Sequence, residues 1–99
     1  MLTIEKMIDG NRTTFALEGK LDTITSPDLN AQIKECLDDV QELVLDFTKL
    51  KYISSAGLRV LLETQQDLPE GGELKITNVD PVIQDILDVT GFSEILTIE

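Results

Sequence analysis

Histidine is missing from the 99-residue sequence, and cysteine occurs only once, as Cys36. Without histidine, neither a Ser-His-Asp nor a Cys-His nucleophile can be built, and zinc has no imidazole ligands. A single thiol forms no internal disulfide, which is typical of proteins from a reducing compartment. Cys36 falls on an apolar helical stripe, which favours a small buried side chain over a reactive thiol. These absences predict a cytoplasmic protein without a histidine-based catalytic centre or a zinc ion.

Positive charge is also scarce, because 8 Lys and Arg residues stand against 19 Asp and Glu residues and give a formal net charge of −11. Nucleic acid and anionic membrane surfaces bind basic patches, so neither is expected as a partner. A protein with a basic patch would be attracted instead. No apolar run approaches the roughly 20 residues of a membrane span, and the N-terminus shows no secretory signal. The favoured interpretation for most of the carboxylates is that they only keep the protein soluble. Charge and hydropathy therefore predict a cytoplasmic protein.

Linkers, repeats and nucleotide-binding loops are missing as well. No stretch is rich in Pro, Gly or Ser, so residues 1–99 are expected to form one domain. Neither GxxxxGKS, GxxxxGKT nor GxGxxG occurs, so no loop of these kinds is available to cradle a cofactor phosphate. Aromatic residues make up 4% of the chain, which predicts an aliphatic core.

The patterns that are present alternate between strand and helix. Residues 2–8 and 13–18 alternate around a turn signal at 9–12 and predict an N-terminal β-hairpin. Further elements are predicted as a helix from Ser26, a strand at 42–47, a helix at about 55–67, a strand at 74–77, a helix between Asp80 and Gly91, and a short strand at 95–98. This order predicts the α/β class, with a mixed β-sheet because of the hairpin.

Local signals mark where these elements begin and end. Ser26 is predicted to be an N-cap with Pro27 at the first helical position, and Asp80 with Pro81 repeats this arrangement. Gly91 is a natural C-terminal stop. The apolar run at 42–47 predicts a central strand buried on both faces.

Asp46 ends this predicted strand, where ligands of open α/β sheets usually bind. A magnesium site of oxygen ligands is one hypothesis for it, and a phospho-accepting aspartate of a signalling receiver is another. A receiver also needs an acidic pair after its first strand and a lysine after its last, and the sequence supplies neither. The competing interpretation is that Asp46 only bonds to the turn that follows.

Two adjacent serines, Ser54 and Ser55, stand where the second helix should begin. Either hydroxyl can cap the helix, and a phosphate on Ser55 would meet the positive end of the helix. Gly57 disfavours the helix and is expected to leave the surface beside the serines bare. Arg59, four residues after Ser55, is placed to pair with such a phosphate. Val60 falls on the polar side of the helical wheel and is a candidate exposed anchor for a partner.

The segment "LDFTKLKYISSAGLRVLL" (45–62) resembles the signature of STAS domains, the anti-anti-sigma factors of bacterial partner switching. "LEGKLDTITSPDL" (17–29) is similar, more weakly, to the stretch before the first helix of that family. The resemblance implies a STAS fold over residues 1–99, a mixed sheet with helices packed on one side, and no enzymatic activity.

The resemblance also implies a function, that of an anti-sigma factor antagonist. Such a domain binds an anti-sigma factor that is a serine kinase, displaces a sigma factor, is phosphorylated by the kinase at the position of Ser55, and is restored by a phosphatase. Asp22 matches an acidic residue that contacts the kinase. The residues assigned to partner binding are Asp22, Ser54, Ser55, Ala56, Gly57, Arg59 and Val60.

One position departs from the family, which usually has an acidic or amide residue where this chain has Ser54. Serine caps a helix about as well as aspartate, so the fold is unaffected. The alternative function is therefore a constitutive STAS adaptor in which Ser55 serves only as an N-cap and is never modified. For Asp22 the alternative is a turn residue without a partner.

Overall fold

The computed structural model describes residues 2–38 and 40–99. In this part of the chain, strands and helices follow the predicted order, with one added helical turn, α4. The bounds are β1 Leu2–Asp9, β2 Arg12–Leu21, α1 Ser26–Cys36, β3 Glu42–Ile53, α2 Ser55–Asp67, β4 Glu73–Thr77, α3 Pro81–Thr90, α4 Phe92–Ile95 and β5 Thr97–Ile98.

The strands form one five-stranded sheet in the order β1-β2-β3-β4-β5. β1 and β2 are antiparallel and pair Ile4 with Leu17, whereas all later neighbours are parallel. The hairpin turns at Gly10, whose φ of 60° is a left-handed conformation that glycine adopts without steric cost. The predicted hairpin and the mixed sheet are thus confirmed.

The helices pack on one face of this sheet, as predicted. Alternate residues of β2 point to that face, so Phe15, Leu17 and Leu21 are at most 1% exposed. They join one aliphatic cluster with Leu29 of α1 and Leu61 of α2, both 0% exposed. Full burial of a leucine or phenylalanine stabilises a fold by about 1.5–3 kcal/mol, so this face supplies most of the stability.

β1 is an edge strand, because it pairs only with β2 among the described residues. Glu5 and Lys6 lie at its centre, and Lys6 Nζ lies 5.9 Å from the centroid of the Phe15 ring. Ile8, near the end of the strand, is 69% exposed.

β3 differs from its predicted bounds. It continues to Ile53, well beyond residue 47, because β2 pairs with it over its whole length through two register shifts. The shifts change the spacing of buried residues from two to three at Phe47, Leu50 and Ile53, which breaks the alternation that sequence patterns detect. Within 42–47, the range for which burial on both faces was predicted, Leu43, Val44, Leu45 and Phe47 are buried and Glu42 and Asp46 are half-buried. Exposure on the open face begins at Thr48, in the unpredicted extension of the strand.

The predicted starts of α2 and α3 are correct, whereas the predicted cap of α1 is wrong. Asp80 caps α3 as predicted, its Oδ1 accepting a hydrogen bond of 3.0 Å from Ile83 N, and Gly91 ends that helix with φ 81°. Ser26, however, is not the N-cap of α1, because the cap position is Thr25. The Ser26 hydroxyl is buried and donates to the Asp22 carbonyl at 2.5 Å, so it fixes the preceding turn instead.

Candidate functional site

The carboxyl ends of β2 and β3 lie side by side and bring the two predicted site segments together. Leu21 pairs with Ile53, and Ser54 N donates to the Leu21 carbonyl at 2.9 Å. Asp22 follows the first strand directly, and the two serines follow the second. The residues predicted from separate motifs are therefore neighbours at one end of the sheet.

Ser54 performs the capping role at this end. Its backbone is extended, with φ −97° and ψ 176°, and its Oγ accepts from Gly57 N at 3.4 Å. Its carbonyl accepts the first helical bond from Leu58 N at 3.0 Å. The hydroxyl of Ser54 is thus committed to the fold, and α2 begins at the next residue.

Ser55 is the first residue of α2 and is exposed. Its hydroxyl makes no hydrogen bond with any residue in the described ranges 2–38 and 40–99, unlike that of Ser54. The N–H groups of a first helical turn lack carbonyl partners and carry part of the positive end of the helix dipole. The Ser55 hydroxyl is therefore accessible, chemically available and placed where a negative charge is tolerated.

Two grooves run along the sides of α2 and share Ser55 and Arg59. We name them the α1 groove, of about 370 Å³, and the α3 groove, of about 320 Å³. The α1 groove is lined by Thr23, Ser26, Pro27, Asn30, Ser55, Ala56, Arg59, Val60 and Glu63, and the α3 groove by Ser55, Leu58, Arg59, Leu62, Thr90 and Phe92. Ser55 and Arg59 thus form a ridge that a partner in either groove would contact.

Thr23, Asn30 and Glu63 of the α1 groove were not predicted from the sequence. They belong to different elements, and only the packing of α1 against α2 brings them together. The available signal was weak: Asn30 is a half-buried polar residue directly after the fully buried Leu29.

Two expectations about this surface are wrong. Val60 is 6% exposed, because α1 packs beside α2 and covers the side that the helical wheel marks as polar. It lies at the bottom of the α1 groove and is not an exposed anchor. Gly57 is buried and does not leave the surface bare: a Cβ at this position would lie 2.8 Å from Ile53 Cγ1 and 2.9 Å from Leu21 Cγ. Glycine is needed so that α2 can approach the strand ends.

Asp22 organises the turn between β2 and α1. Its Oδ1 accepts hydrogen bonds of 3.0 Å from Thr25 N and from Ile24 N. The bond from the Thr25 N–H, followed by those from Ile24 N–H and the Thr25 hydroxyl, lowers the pKa of Asp22, although partial desolvation opposes them. Its Oδ2 makes no hydrogen bond within the described residues. Asp22 therefore has a clear turn role, and its proposed contact with a partner stays a prediction.

Asp46 does not end a strand, so the basis for a ligand site there is wrong. It lies in the middle of β3 on the open face, and its Oδ1 accepts from Thr48 Oγ1 at 2.6 Å, Thr48 N at 3.0 Å and Asn78 Nδ2 at 3.0 Å. Partial burial raises the pKa of Asp46, but the bonds from the Thr48 hydroxyl, the Asn78 amide and the Thr48 N–H outweigh it and leave the pKa below its ordinary value. These bonds favour the interpretation that Asp46 ties β3 to the end of β4.

Acid should weaken this tie. Because the pKa of Asp46 is lower in the folded than in the unfolded protein, its stabilisation is complete above the unfolded value of about 3.9 and is lost as the pH falls through the folded value. In Asp46→Asn the amide oxygen keeps accepting but does not titrate. The drop in urea midpoint between pH 6 and about pH 3 should therefore be smaller in this variant than in the wild type. An equal drop would contradict the assigned role.

In the ranges 2–38 and 40–99, no three Cys, Asp or Glu residues come together as a potential metal site. No helix in these ranges has the length and apolar character to cross a bilayer.

A mixed sheet with helices on one face, a capped helix start and an exposed hydroxyl beside two grooves define a small α/β domain with its candidate site at one end of the sheet. The STAS domain model matches residues 3–99, and the chain belongs to the STAS domain family. The predicted family and fold are thereby confirmed.

Known proteins agree with this assignment. The chain is 33% identical to BtrV of Bordetella bronchiseptica, named as a candidate anti-sigma factor antagonist, over 98% of this chain and 84% of that protein. It resembles the crystal structure of an anti-sigma factor antagonist from Mycobacterium paratuberculosis, with a TM-score of 0.92, 20% identity and coverage of 99% and 85% of the two chains. It also resembles the Bacillus cell-fate determinant SpoIIAA in its phosphorylated form, with a TM-score of 0.76, 19% identity and coverage of 100% and 91%.

Proposed function

We propose that this chain is an anti-sigma factor antagonist. It binds an anti-sigma factor that is a serine kinase and thereby releases a sigma factor, while the chain itself supplies no catalytic group. The similarity to BtrV supports the antagonist role, and the net charge of −11 suits a partner with a basic docking surface. The docking surface is the end of the sheet that carries Asp22, Ser54, Ser55, Ala56 and Arg59, with Gly57 and Val60 beneath it.

Regulation acts through phosphorylation of Ser55. The Ser55 hydroxyl oxygen attacks the γ-phosphorus of ATP, ADP leaves, and the hydroxyl proton passes to a base of the kinase. A phosphatase hydrolyses the ester and restores the hydroxyl. The phosphate adds about −1.5 to −2 charges at the centre of the docking surface. The partner is released because an ion buried in the interface without a counter-ion is costly and because contacts around Ser55 are lost.

The observation that supports the proposal most directly is that the two serines have different structural roles. Ser54 holds the helix start through its Oγ, whereas the Ser55 hydroxyl is exposed and makes no hydrogen bond in the described part of the chain. Modification of Ser55 therefore breaks no contact of the fold. A dianion at the first helical residue is also stabilised by the helix dipole.

Mass spectrometry with the partner kinase and ATP tests the proposal. The wild type should gain one phosphate, Ser55→Ala should gain none, and Ser54→Ala should still gain one. Ser54→Ala loses a cap worth about 1 kcal/mol, which a domain stable by roughly 5–15 kcal/mol tolerates, so circular dichroism should show it folded.

Labelling that persists in Ser55→Ala would overturn the assignment of the site. Stable binding to the partner with no mass change under ATP would favour the alternative function, a constitutive STAS adaptor. The label should also survive acid, in which a serine phosphate ester is stable and an acyl phosphate on Asp46 would hydrolyse. In base the phosphoserine label should be lost by β-elimination.

A further inference from the structure

Arg59 is an exposed cation on a strongly acidic protein, and it lines both grooves next to Ser55. Arg59 forms no ion pair with any residue of the described ranges, and in this it resembles Lys20, Lys34 and Lys51; what distinguishes Arg59 is its position beside Ser55. A guanidinium offers five donors in a planar fork that matches phosphate oxygens. The Arg59 guanidinium is therefore available to bind an anion placed beside Ser55, and the unmodified protein has none there among the described residues.

The order of charges along α2 explains why Arg59 is unpaired before modification. Ser55, Arg59 and Glu63 follow one another at intervals of four residues and line the same groove. Side chains four residues apart lie about 5–6 Å apart, and an acid placed N-terminal to a base pairs better than the reverse order. Glu63 stands on the unfavourable side of Arg59, whereas a phosphate on Ser55 would stand on the favourable side.

We propose that Arg59 clamps the phosphate of phospho-Ser55 within the α1 groove, so that modification of the serine also removes Arg59 from the docking surface. The inference rests on the proposed function, because it concerns the phosphorylated state of the same serine. It assigns to Arg59 a phosphate-binding role that is separate from contact with the kinase.

The surroundings favour this pairing over any other. Glu63 is the only other charged residue among those lining the two grooves, and it is one helical turn further from the phosphate than Arg59 is. The amide of Asn30, on the opposite wall of the α1 groove, is a further donor for the same anion. Arg59 and Asn30 together bind the dianion on Ser55 more tightly than Arg59 alone would bind the single charge of Glu63.

The clamp has a consequence for the switch. The guanidinium offsets part of the added negative charge. The main change in the modified domain is therefore a groove that is filled and rigid, and the increase in negative charge is the smaller change. Both partners of the pair are then directed away from the kinase.

The test uses phosphoserine incorporated at position 55 by an expanded genetic code, so that it needs no kinase. Phosphorus NMR follows the titration of the phosphate in the wild type, in Arg59→Gln and in Lys51→Gln. Lys51 is an exposed residue of β3 outside both grooves, so this control loses the same charge nearby. The phosphate of the wild type and of Lys51→Gln should titrate about half a pH unit lower than that of Arg59→Gln.

Thermal unfolding supplies a second measurement. Phosphoserine should raise the melting temperature of the wild type relative to its unmodified form, and this gain should be smaller in Arg59→Gln, where only the helix dipole stabilises the phosphate. Equal titration of all three phosphoproteins, or an equal thermal gain, would overturn the clamp. Neither result touches the proposed function, which stands or falls on whether the kinase modifies Ser55.

Discussion

A single methyl group added at Gly57 is expected to lower the free energy of unfolding by about 1–3 kcal/mol, the usual cost of overpacking a core. The new Cβ of Gly57→Ala would lie 2.8 Å from Ile53 Cγ1 and 2.9 Å from Leu21 Cγ, closer than carbon atoms pack. Both neighbours are core side chains held by the ends of β2 and β3, so they cannot move aside freely. Alanine favours a helix by about 1 kcal/mol over glycine, which offsets only part of the clash.

Thermal unfolding measures this effect, at roughly 4–8 °C per kcal/mol for a domain of this size. A double-mutant cycle with Ile53→Ala supplies the control, because that change removes the nearest clashing atom. The two changes together should destabilise the protein by less than the sum of the single changes. Additive effects, or a Gly57→Ala variant as stable as the wild type, would show that the close approach of α2 does not depend on glycine.

An aspartate at position 55 is expected to weaken binding of the anti-sigma kinase at least tenfold, or about 1.4 kcal/mol. The charge would lie at the centre of the proposed interface, where an unpaired buried ion costs about 2–5 kcal/mol. The fold should be unchanged, because Ser55 is exposed and makes no hydrogen bond within the described residues. Isothermal titration calorimetry with the purified kinase gives the ratio of affinities.

Ser54→Asp is the matched control, since it adds the same charge one residue earlier. Aspartate is an efficient N-cap, so the carboxylate should accept from Gly57 N as the Ser54 hydroxyl does and point into the helix start. Binding should then fall by much less than in Ser55→Asp. Equal losses in the two variants would mean that the partner senses overall charge and not the group at position 55.

Local chemistry explains most of what the sequence predicted correctly. The bounds of α2, and the start and end of α3, follow from capping side chains and from glycine within a few residues, as the Asp80 and Gly91 geometries show. The resemblance that located Ser55 likewise depends on a short continuous segment. Such signals can be recognised from the sequence alone, because the hydrogen bonds that they predict join residues only a few positions apart in the chain.

The failures share a different cause, which is the influence of distant elements. Ser26 is an exception, because its hydroxyl binds the Asp22 carbonyl only four residues earlier, a local bond that the capping pattern does not distinguish from an N-cap. The length of β3 depends on pairing with β2, and a helical wheel for α2 could not show that α1 covers Val60. The α1 groove was not predicted because it joins residues from two helices and a loop.

The edge strand β1 has a consequence for how two molecules meet. When two copies pair their β1 strands antiparallel about a twofold axis perpendicular to the sheet, their helix-covered faces lie on the same side. Directly opposed residues are then both even-numbered or both odd-numbered. The two registers that join most of the strand place Glu5 opposite Glu5, or Lys6 opposite Lys6. Like charges directly opposite are destabilising, so the centre of β1 disfavours edge-to-edge pairing of two copies through this strand.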